Sequence, residues 1–302
     1  MRLIEASGVS AGTVNTYYRV KTDRGVFYLR IDERGDVGAV EREVALLQYL
    51  EHLAVPHPFA TRSHSFYSLF NDKPALLFSP IPGHPISTDH LTPIHLKQIG
   101  AWLAELHRVR ITANFFEHRF HATYLLDTLY PRIAQEINTQ HKDAALCLKE
   151  HLTEHMNQNI SVDYRFDTLP QSIIHADMFE ENLHFEQDTL IGVLDFEAAG
   201  RGPRLLDLAI TLQALCFDVS TQKFKLAHAG ALTHAYLDST VITVDEIRAW
   251  PKLLTYSALR FLITRLHDFE ISPIKTSQPL PKDYREYIGH LNALRDLYAL
   301  VR

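Results

Sequence analysis

The apolar pattern of this chain changes at the breakers Pro80, Pro82 and Gly83. Before them, residues 14–31 read VNTYYRVKTDRGVFYLRI, two runs of aromatic and β-branched residues around the turn TDRG. Such runs on both sides of an Asp- and Gly-containing turn are typical of a β-hairpin. The stretch KPALLFSPIPG at 73–83 predicts a buried strand that these breakers end.

Helical periodicity dominates after the breakers. Residues 94–109 and much of 121–158 are amphipathic, and RLLDLAITLQALCF at 204–217 opens a run of helices that continues to the C-terminus. A β island at 171–197 interrupts this part of the chain, with a hairpin turn near EQD. We therefore predict a mainly helical second part.

The two patterns together predict an α+β chain with two lobes. The first lobe, 1–80, is predicted to hold a small antiparallel sheet and one helix, because 39–53 places apolar residues at helical spacing. The second lobe, 81–302, is predicted to be larger and mainly helical. The glycine-bearing stretch GVSAG begins at residue 8, and we expect no strand ahead of it.

Charge and cysteine content exclude several classes of protein. The net charge of −6 gives no broad basic field for nucleic acid or anionic lipid, so a phosphorylated ligand would need local positive charge or a metal. Cys147 and Cys216 are too few for a disulfide framework and indicate a reducing compartment. The N-terminal residues carry no signal-like apolar stretch. We predict a cytoplasmic protein that binds neither nucleic acid nor membrane; its oligomeric state stays open.

Polar side chains interrupt the apolar stretch SIIHADMFEENLHF at 172–185. Asp177 and Asn182 belong to it, and Asp195 ends the later apolar run LIGVL. Phosphoryl transfer depends on positioning and charge neutralisation. One carboxylate beside the acceptor hydroxyl, together with an amide and a second carboxylate that bind a cation, meets both requirements. Mg²⁺ prefers such oxygen ligands. The pattern predicts Mg²⁺-dependent phosphoryl transfer.

The motif HADMFEEN followed by DFE resembles signatures of the aminoglycoside phosphotransferase and choline kinase superfamily, namely His-x-Asp-x4-Asn and Asp-Phe/Trp-x. The resemblance implies a two-lobed protein-kinase-like fold with ATP in the cleft between the lobes. It also implies that Asp177 is the catalytic base, that His175 supports the loop without reacting, and that Asn182 and Asp195 hold Mg²⁺.

The first lobe fits the same resemblance. The stretch GVSAGTVNTYYRV at 8–20 lies where the family has a phosphate-covering loop, and its small residues let backbone N–H groups approach phosphate oxygens. Arg30 stands where the family has a phosphate-binding Lys or Arg, with Glu43 as its partner, and LLFSPIPG would be the hinge that faces adenine. The implied ATP-binding residues are Ser10, Gly12, Asn15, Arg30, Glu43, Ser79 and Ile81.

Stretches along most of the chain are similar to the bacterial homoserine kinases of this superfamily. They are GTVNTYYRVKT, SIIHADMFEENLHF, LIGVLDF, DLAITLQALCFD and SALRFLITRLHDF. The resemblance implies L-homoserine as the acceptor. Choline, ethanolamine or an aminoglycoside is the alternative acceptor, and a nucleotide-binding pseudokinase or regulator is the alternative from another class.

Four further residues are candidates for the acceptor site: Glu197, Asp207, Arg260 and Arg265. A carboxylate among apolar neighbours usually has a structural partner, which is the preferred interpretation of Asp207. The arginines suit an acceptor carboxylate, or else form salt bridges with Asp268 or Glu270.

Two other patterns carry alternatives. Arg30 and Glu43 are also compatible with an ordinary surface ion pair. HLTEH at 151–155 matches a zinc peptidase pattern, with His151 and His155 as ligands and Glu154 as base. We favour an ordinary surface helix for that segment, because it is polar and the chain has 18 histidines.

Overall fold

The computed structural model describes residues 1–9, 15–111, 115–137, 139–152, 164, 166–272 and 282–301. These residues fall into two compact units. The first unit contains Met1–Pro85 and Asn182–Glu197, and the second contains Ile86–Glu181 and the chain from Ala198 to Ser272 and from Lys282 onward. Each unit is built from separate stretches of the chain, whereas the predicted lobes 1–80 and 81–302 are each continuous. The division into those two lobes stays a prediction.

The first unit contains a five-stranded antiparallel sheet in the order β1-β2-β3-β5-β4. Thr22 at the end of β2 pairs with Gly25 at the start of β3, which confirms the predicted hairpin. The buried strand at 73–78 is also confirmed, and its apolar residues alternate between buried and half-buried positions. The strands are β1 Leu3–Val9, β2 Thr16–Thr22, β3 Gly25–Ile31, β4 Ser68–Phe70 and β5 Lys73–Phe78.

Strand β1 overturns the expectation that no strand precedes the glycine-bearing stretch. Leu3–Val9 pairs with β2, and Gly8 and Val9 lie within the strand. Nearly all of its side chains are exposed. β1 is therefore held at the edge of the sheet by backbone hydrogen bonds and buries almost no side chain. For this reason its sequence shows no apolar alternation.

Helix α1, Val37–Tyr49, confirms the predicted helix and ends earlier than expected. Asp36 caps it, because its Oδ1 accepts a hydrogen bond of 2.9 Å from the backbone N–H of Ala39. Val40, Glu43 and Val44 are buried, and α1 contacts β5. The helix therefore carries Glu43 into the interior of the first unit.

A second sheet of the first unit comprises β6 His84–Pro85, β8 Leu183–Glu186 and β9 Thr189–Val193 in the order β6-β8-β9. Glu186 pairs with Thr189, so the turn falls at the predicted EQD and the hairpin is confirmed. Val193 also donates its backbone N–H to the carbonyl of Ala54 at 2.9 Å.

The second unit is mainly helical, as predicted. A two-stranded antiparallel sheet, β7 Gln171–Ile174 with β10 Gly200–Pro203, leads into the buried helix α5 Arg204–Cys216. Its helices are α2 Pro93–Arg108, α3 Tyr130–Ala134, α4 Lys142–Leu152, α5 Arg204–Cys216, α6 Leu226–Leu237, α7 Val244–Arg265 and α8 Arg285–Val301. Its strands are β7 Gln171–Ile174, β10 Gly200–Pro203, β11 Phe217–Asp218 and β12 Lys223–Phe224, with π-helical turns at Thr123–Leu129 and Leu266–Ile271 and 3-10 turns at Thr139–His141 and Glu180–Asn182.

A polar contact inside the core ties three helices of the second unit together. Gln213 on α5 donates to the carbonyl of Leu254 on α7 at 2.6 Å, and its Oε1 lies 2.7 Å from Nδ1 of His290 on α8. Each of these polar side chains is buried, so each needs a partner. Over the described ranges, no helix has the length and apolar character needed to span a bilayer.

Helices α2 and α6 provide a test of this packing. A Cβ added at Gly100 on α2 would lie 2.3 Å from the carbonyl oxygen of Leu232, whereas one added at Gly230 on α6 would meet nothing within 4 Å. We expect Gly100→Ala to lower the free energy of unfolding by about 1–3 kcal/mol, because α6 would have to move. Gly230→Ala should raise it by up to about 1 kcal/mol through helix propensity. Chemical denaturation measures both, and equal stabilities would contradict this packing.

Candidate active site

A buried carboxylate fixes the loop that follows β7. Asp207 on α5 accepts hydrogen bonds from the backbone N–H of His175 at 2.7 Å and of Ala176 at 2.8 Å, one on each oxygen. Asp207 is fully buried. Ala176 has a φ of +63°, which a residue with a side chain rarely adopts, and the two bonds stabilise it there. The loop conformation just before Asp177 is therefore set by Asp207.

The Asp207 carboxylate belongs to a longer buried network. Its Oδ2 lies 3.2 Å from Nε2 of His107 on α2, and Nδ1 of His107 lies 2.9 Å from the hydroxyl of Tyr236 on α6. Burial by itself would raise the pKa of Asp207, but the hydrogen bonds from His107 and from the loop backbone bring that pKa below its ordinary value. Asp207 is therefore a stable anion whose two oxygens face groups of the second unit, as the structural interpretation of this residue requires.

His175 lies behind the same loop. Its ring is buried, and Nδ1 accepts a hydrogen bond of 3.2 Å from the backbone N–H of Asp177. Nδ1 must be unprotonated to accept this bond, so the ring carries its proton on Nε2 in this arrangement. The imidazole thus contacts the backbone of Asp177.

The Asp177 carboxylate is paired with a buried arginine. Nη1 of Arg260 on α7 lies 3.3 Å from Oδ1 of Asp177. The Arg260 side chain is 5% exposed, whereas that of Asp177 is 30% exposed. The carboxylate is therefore fixed from the interior and remains accessible from outside.

The alternative prediction, that Arg260 and Arg265 form salt bridges with Asp268 or Glu270, is wrong. Arg260 pairs with Asp177, and Arg265 donates to Oε2 of Glu286 at 2.6 Å. Asp268 instead contacts the ring of His267. Both Asp268 and Glu270 lie in the π-helical turn after α7, where wider spacing removes them from the α-helical register that the prediction assumed.

Asn182 and Asp195 belong to the first unit and flank the β8–β9 hairpin. Leu183 pairs with Val193, and the N–H of Leu194 donates to the backbone carbonyl of Asn182 at 2.8 Å. The register therefore brings these two residues to the same end of the hairpin. Asp195 has a φ of +65°, a conformation that is uncommon outside glycine and concentrates at functional sites.

The donor chemistry of this hairpin end fits a magnesium ion. An Asn amide oxygen and an Asp carboxylate are hard oxygen donors, and Mg²⁺ commonly takes one or two protein ligands together with water and phosphate oxygens. Among the described residues, no group of three or more His, Cys, Asp or Glu side chains is placed to hold a metal. Of the HLTEH motif, Glu154 and His155 lie outside the described residues.

Arg30 and Glu43 form a buried pair, so the surface ion-pair alternative is wrong. Nη1 of Arg30 donates to Oε1 of Glu43 at 2.8 Å, and Nη2 donates to Oε2. Their side chains are 3% and 6% exposed. Burial alone would lower the pKa of Arg30, but the Glu43 carboxylate raises it well above its ordinary value. Helix α1 and strand β3 together provide a permanent cation inside the first unit.

Tyr17 lies directly opposite Arg30 across the β2–β3 ladder. Burial, together with the negative charge of Asp195, raises the pKa of the Tyr17 hydroxyl above its ordinary value. Tyr17 therefore stays neutral, and the charges of Arg30 and Asp195 both act on its hydroxyl. Tyr17 lies in an ordinary strand pattern, so nothing local in the sequence marks it.

Asn15 and Glu197 interact within the first unit. Nδ2 of Asn15 donates to Oε2 of Glu197 at 3.0 Å, and Arg34 donates to Oε1 of Glu197 at 2.9 Å. The backbone N–H of Glu33 donates to Oδ1 of Asn15 at 3.3 Å. Glu197 therefore contacts Asn15, which belongs to the stretch predicted to cover the phosphates, and Arg34. Ser10 and Gly12, which belong to the same stretch, lie outside the described residues.

The predicted hinge residues follow β5. The backbone N–H of Ser79 donates to the carbonyl of His57 at 2.9 Å, and the Ser79 hydroxyl oxygen accepts from the backbone N–H of His57 at 3.0 Å. Ile81 packs against Gly192 on β9, where an added Cβ would lie 2.3 Å from its Cγ2. Packing and hydrogen bonds therefore hold both hinge residues within the first unit.

Comparison with known proteins decides the family. The model of the phosphotransferase enzyme family, APH, matches residues 5–250. The chain belongs to this phosphotransferase family. A match of this length includes every residue of the loop, the hairpin end and the buried Arg30–Glu43 pair.

Relatives in sequence and solved structures of similar fold cover nearly all of the chain. The protein named homoserine kinase from Zymomonas mobilis subsp. mobilis is 30% identical over 300 residues, which cover 98% of this chain and 90% of the relative. That of Parvibaculum lavamentivorans is 30% identical over 308 residues, covering 96% and 88%. A microcompartment-associated aminopropanol kinase has a TM-score of 0.69 at 18% identity, covering 98% and 93% of the two chains. The predicted superfamily, its likeness to homoserine kinases and the two-lobed kinase-like fold are confirmed.

Several residues of this phosphotransferase site were missed by sequence reasoning. His107 and Tyr236 contact the Asp207 network from α2 and α6, and Phe120 lies against Arg260. Each meets its partner across about a hundred residues of chain or more, so local periodicity holds no signal for them. Only a folded structure brings them together.

The Asp207 network generates a prediction about this phosphotransferase. Asp207→Asn turns one acceptor oxygen into an NH₂ group that faces a backbone N–H. We expect the free energy of unfolding to fall by about 1–3 kcal/mol, because a buried donor loses its partner. We also expect kcat to fall while the ATP KM changes little, because Arg30 and Glu43 are untouched. Thermal melting and steady-state kinetics measure both, with the exposed Asp238→Asn as control; unchanged stability would contradict the network.

Proposed function

We propose that this chain is an ATP-dependent kinase that transfers the γ-phosphoryl group to the hydroxyl of L-homoserine. The observation that carries the proposal is the likeness to curated proteins named homoserine kinase, which at 30% identity extends over 98% of the chain. The phosphotransferase family supplies the reaction class. The acceptor is accordingly a small molecule with a free hydroxyl.

Asp177 is the proposed general base toward the acceptor hydroxyl. The Asp177 side chain is 30% exposed, so an acceptor can reach its carboxylate. Asp207 and His175 hold the backbone on which Asp177 sits. Orientation matters because phosphoryl transfer requires the acceptor oxygen in line with the transferred group.

Asn182 and Asp195 are the proposed ligands of Mg²⁺. The β8–β9 register brings them to one hairpin end, and their oxygens suit a hard cation. When bound, Mg²⁺ would neutralise negative charge on the phosphates of ATP.

Arg30 is the proposed contact for the α- and β-phosphates, and Glu43 fixes its guanidinium. The buried pair is rigid and its cation is permanent, which suits an anionic ligand in a chain of net charge −6. The other proposed ATP-binding residues are Ser10, Gly12, Asn15, Ser79 and Ile81. The functional lobes 1–80 for ATP and 81–302 for catalysis and the acceptor belong to the same proposal.

A cytoplasmic location completes the proposal. Cys147 and Cys216 are buried, and burial raises the pKa of each thiol to about 12. Such thiols stay protonated and unreactive, which is compatible with a reducing compartment.

Acceptor identity is tested by ADP release coupled to NADH oxidation, with ATP, MgCl₂ and one acceptor at a time. We expect homoserine to give the highest kcat/KM among homoserine, choline, ethanolamine and an aminoglycoside, and mass spectrometry should detect homoserine monophosphate. A higher kcat/KM for choline or an aminoglycoside would overturn the acceptor. No acceptor-dependent release from a folded, ATP-binding protein would support the regulator alternative.

Asp177→Ala tests the proposed base. We expect kcat to fall by about 10²- to 10⁴-fold, the usual contribution of general-base catalysis. The ATP dissociation constant, measured by calorimetry, should change little. Asp167→Ala, an exposed aspartate of the same unit, is the control and should keep the wild-type rate. Wild-type turnover by Asp177→Ala would remove this residue from the mechanism.

Asp195→Ala tests the proposed metal site. Loss of a carboxylate ligand should raise the MgCl₂ concentration needed for half-maximal activity, because the remaining amide is a neutral ligand. Titration of MgCl₂ at fixed ATP measures this shift, with Glu186→Ala on the same hairpin as control. An unchanged Mg²⁺ requirement would remove Asp195 from the metal site.

A further inference from the structure

Arg260 is buried, contacts two aromatic rings and forms an ion pair with Asp177. Its guanidinium carbon lies 4.4 Å from the ring centroid of Phe120 and 3.8 Å from that of Phe261. Contacts of this kind stabilise a desolvated cation. Nη1 contacts Oδ1 of Asp177, while Nε is buried with no hydrogen-bond partner among the described residues.

The rings beside Arg260 are themselves held in place. The Tyr256 hydroxyl, on the same helix as Arg260, donates to the backbone carbonyl of Phe120 at 2.7 Å. Phe261 meets Phe179 edge to face, with ring centroids 4.9 Å apart. Consecutive residues of α7 therefore contact two residues of one loop, Arg260 with Asp177 and Phe261 with Phe179. The guanidinium has a fixed place relative to that loop.

The electrostatic surroundings make Asp177 the partner that compensates this buried charge. Burial lowers the pKa of Arg260 below its ordinary value, which reflects the cost of desolvation. The nearby His118 ring adds no second cation, because burial and then Arg260 lower its pKa to about 3. Arg265 has a carboxylate of its own, Glu286. A buried guanidinium requires such a partner.

We propose that Arg260 is a positioning residue, which holds one oxygen of Asp177 so that the other is presented to the acceptor hydroxyl. The inference rests on the proposed function, because it assigns Arg260 a task through Asp177. It differs from the acceptor-site role that the sequence suggested for Arg260. A guanidinium that is 5% exposed, with two rings against it and Asp177 on its edge, is better placed to orient that carboxylate than to bind a diffusing one.

The main test is chemical rescue of Arg260→Ala. We expect kcat to fall by about 100-fold, the scale of a 1 Å misplacement of a reacting group, with the homoserine KM within a few-fold of wild type. Millimolar guanidinium should restore part of kcat by filling the vacated place beside Phe120 and Phe261. Urea, which is planar and of similar size but neutral, should restore none. A purely structural role predicts the same response to both additives.

An acceptor-binding role gives a different result. If Arg260 bound the homoserine carboxylate, its removal would raise the homoserine KM and leave 3-aminopropan-1-ol, which lacks the carboxylate, unaffected. We expect instead the same fold loss of kcat on both acceptors. A rise in KM confined to homoserine would overturn the inference.

Controls separate positioning from stability. Arg204 of the same unit forms a bidentate pair with the buried Glu246, at 2.7 and 2.8 Å. Arg204→Ala should lower the melting temperature as Arg260→Ala does, with kcat unchanged at temperatures where it is folded. If Arg260→Ala does not fold, Arg260→Lys and Arg260→Met replace it. Lysine keeps the charge and should give the higher kcat; equal values would overturn the inference.

A double mutant distinguishes failure of this inference from failure of the proposed function. If Arg260 acts through Asp177, adding Arg260→Ala to Asp177→Ala should cost no further activity. An inactive Asp177→Ala beside a fully active Arg260→Ala would overturn the inference alone, whereas an active Asp177→Ala would overturn the proposed mechanism. The double-mutant cycle is measured with whichever acceptor the wild-type protein phosphorylates. The test therefore remains valid if that acceptor is not homoserine.

Discussion

The carboxylate of Asp207 is the contact on which the loop of Asp177 depends. It accepts two backbone N–H groups, from His175 and Ala176, and thereby keeps Ala176 at a φ that its side chain disfavours. The Asp207 carboxylate also contacts Nε2 of His107, and Nδ1 of His107 contacts the Tyr236 hydroxyl. Because these groups are buried, each hydrogen bond lost would leave a donor or acceptor without water, which makes the network costly to disturb. The position of Asp177 thus rests on the core of the second unit.

Each unit of the chain contains a buried arginine that is paired with a carboxylate. In the second unit, Arg260 is desolvated beside two aromatic rings and paired with Asp177. In the first unit, Arg30 is buried and held by both oxygens of Glu43. A buried cation is destabilising without a partner, so the pairing fixes where each group lies. Rigid placement of charge is what phosphoryl transfer requires of a protein, since the reaction needs little covalent help.

Much of the fold could be predicted from the sequence, and the successes share a cause. The hairpins at 16–31 and 183–193, the helix carrying Glu43 and the mainly helical second part all follow from local periodicity and turn residues. Strand β1 could not be predicted, because an edge strand with exposed side chains is stabilised by its ladder. Of the alternatives for Arg260 and Arg265, the salt bridge with Asp268 or Glu270 is wrong, since both acids lie in the π-helical turn after α7. The candidate site was found through motif residues, while Tyr17, His107 and Phe120 needed the folded chain.

The most direct measurement is a crystal structure of the protein with Mg²⁺, a nonhydrolysable ATP analogue and L-homoserine. The account predicts the homoserine hydroxyl within about 2.6–3.2 Å of the Asp177 carboxylate, the reach of a general base. It also predicts that the same carboxylate keeps its contact with Arg260 and that Asn182 and Asp195 ligate the metal. A homoserine hydroxyl bound away from Asp177, or a metal held without Asn182 and Asp195, would contradict the account.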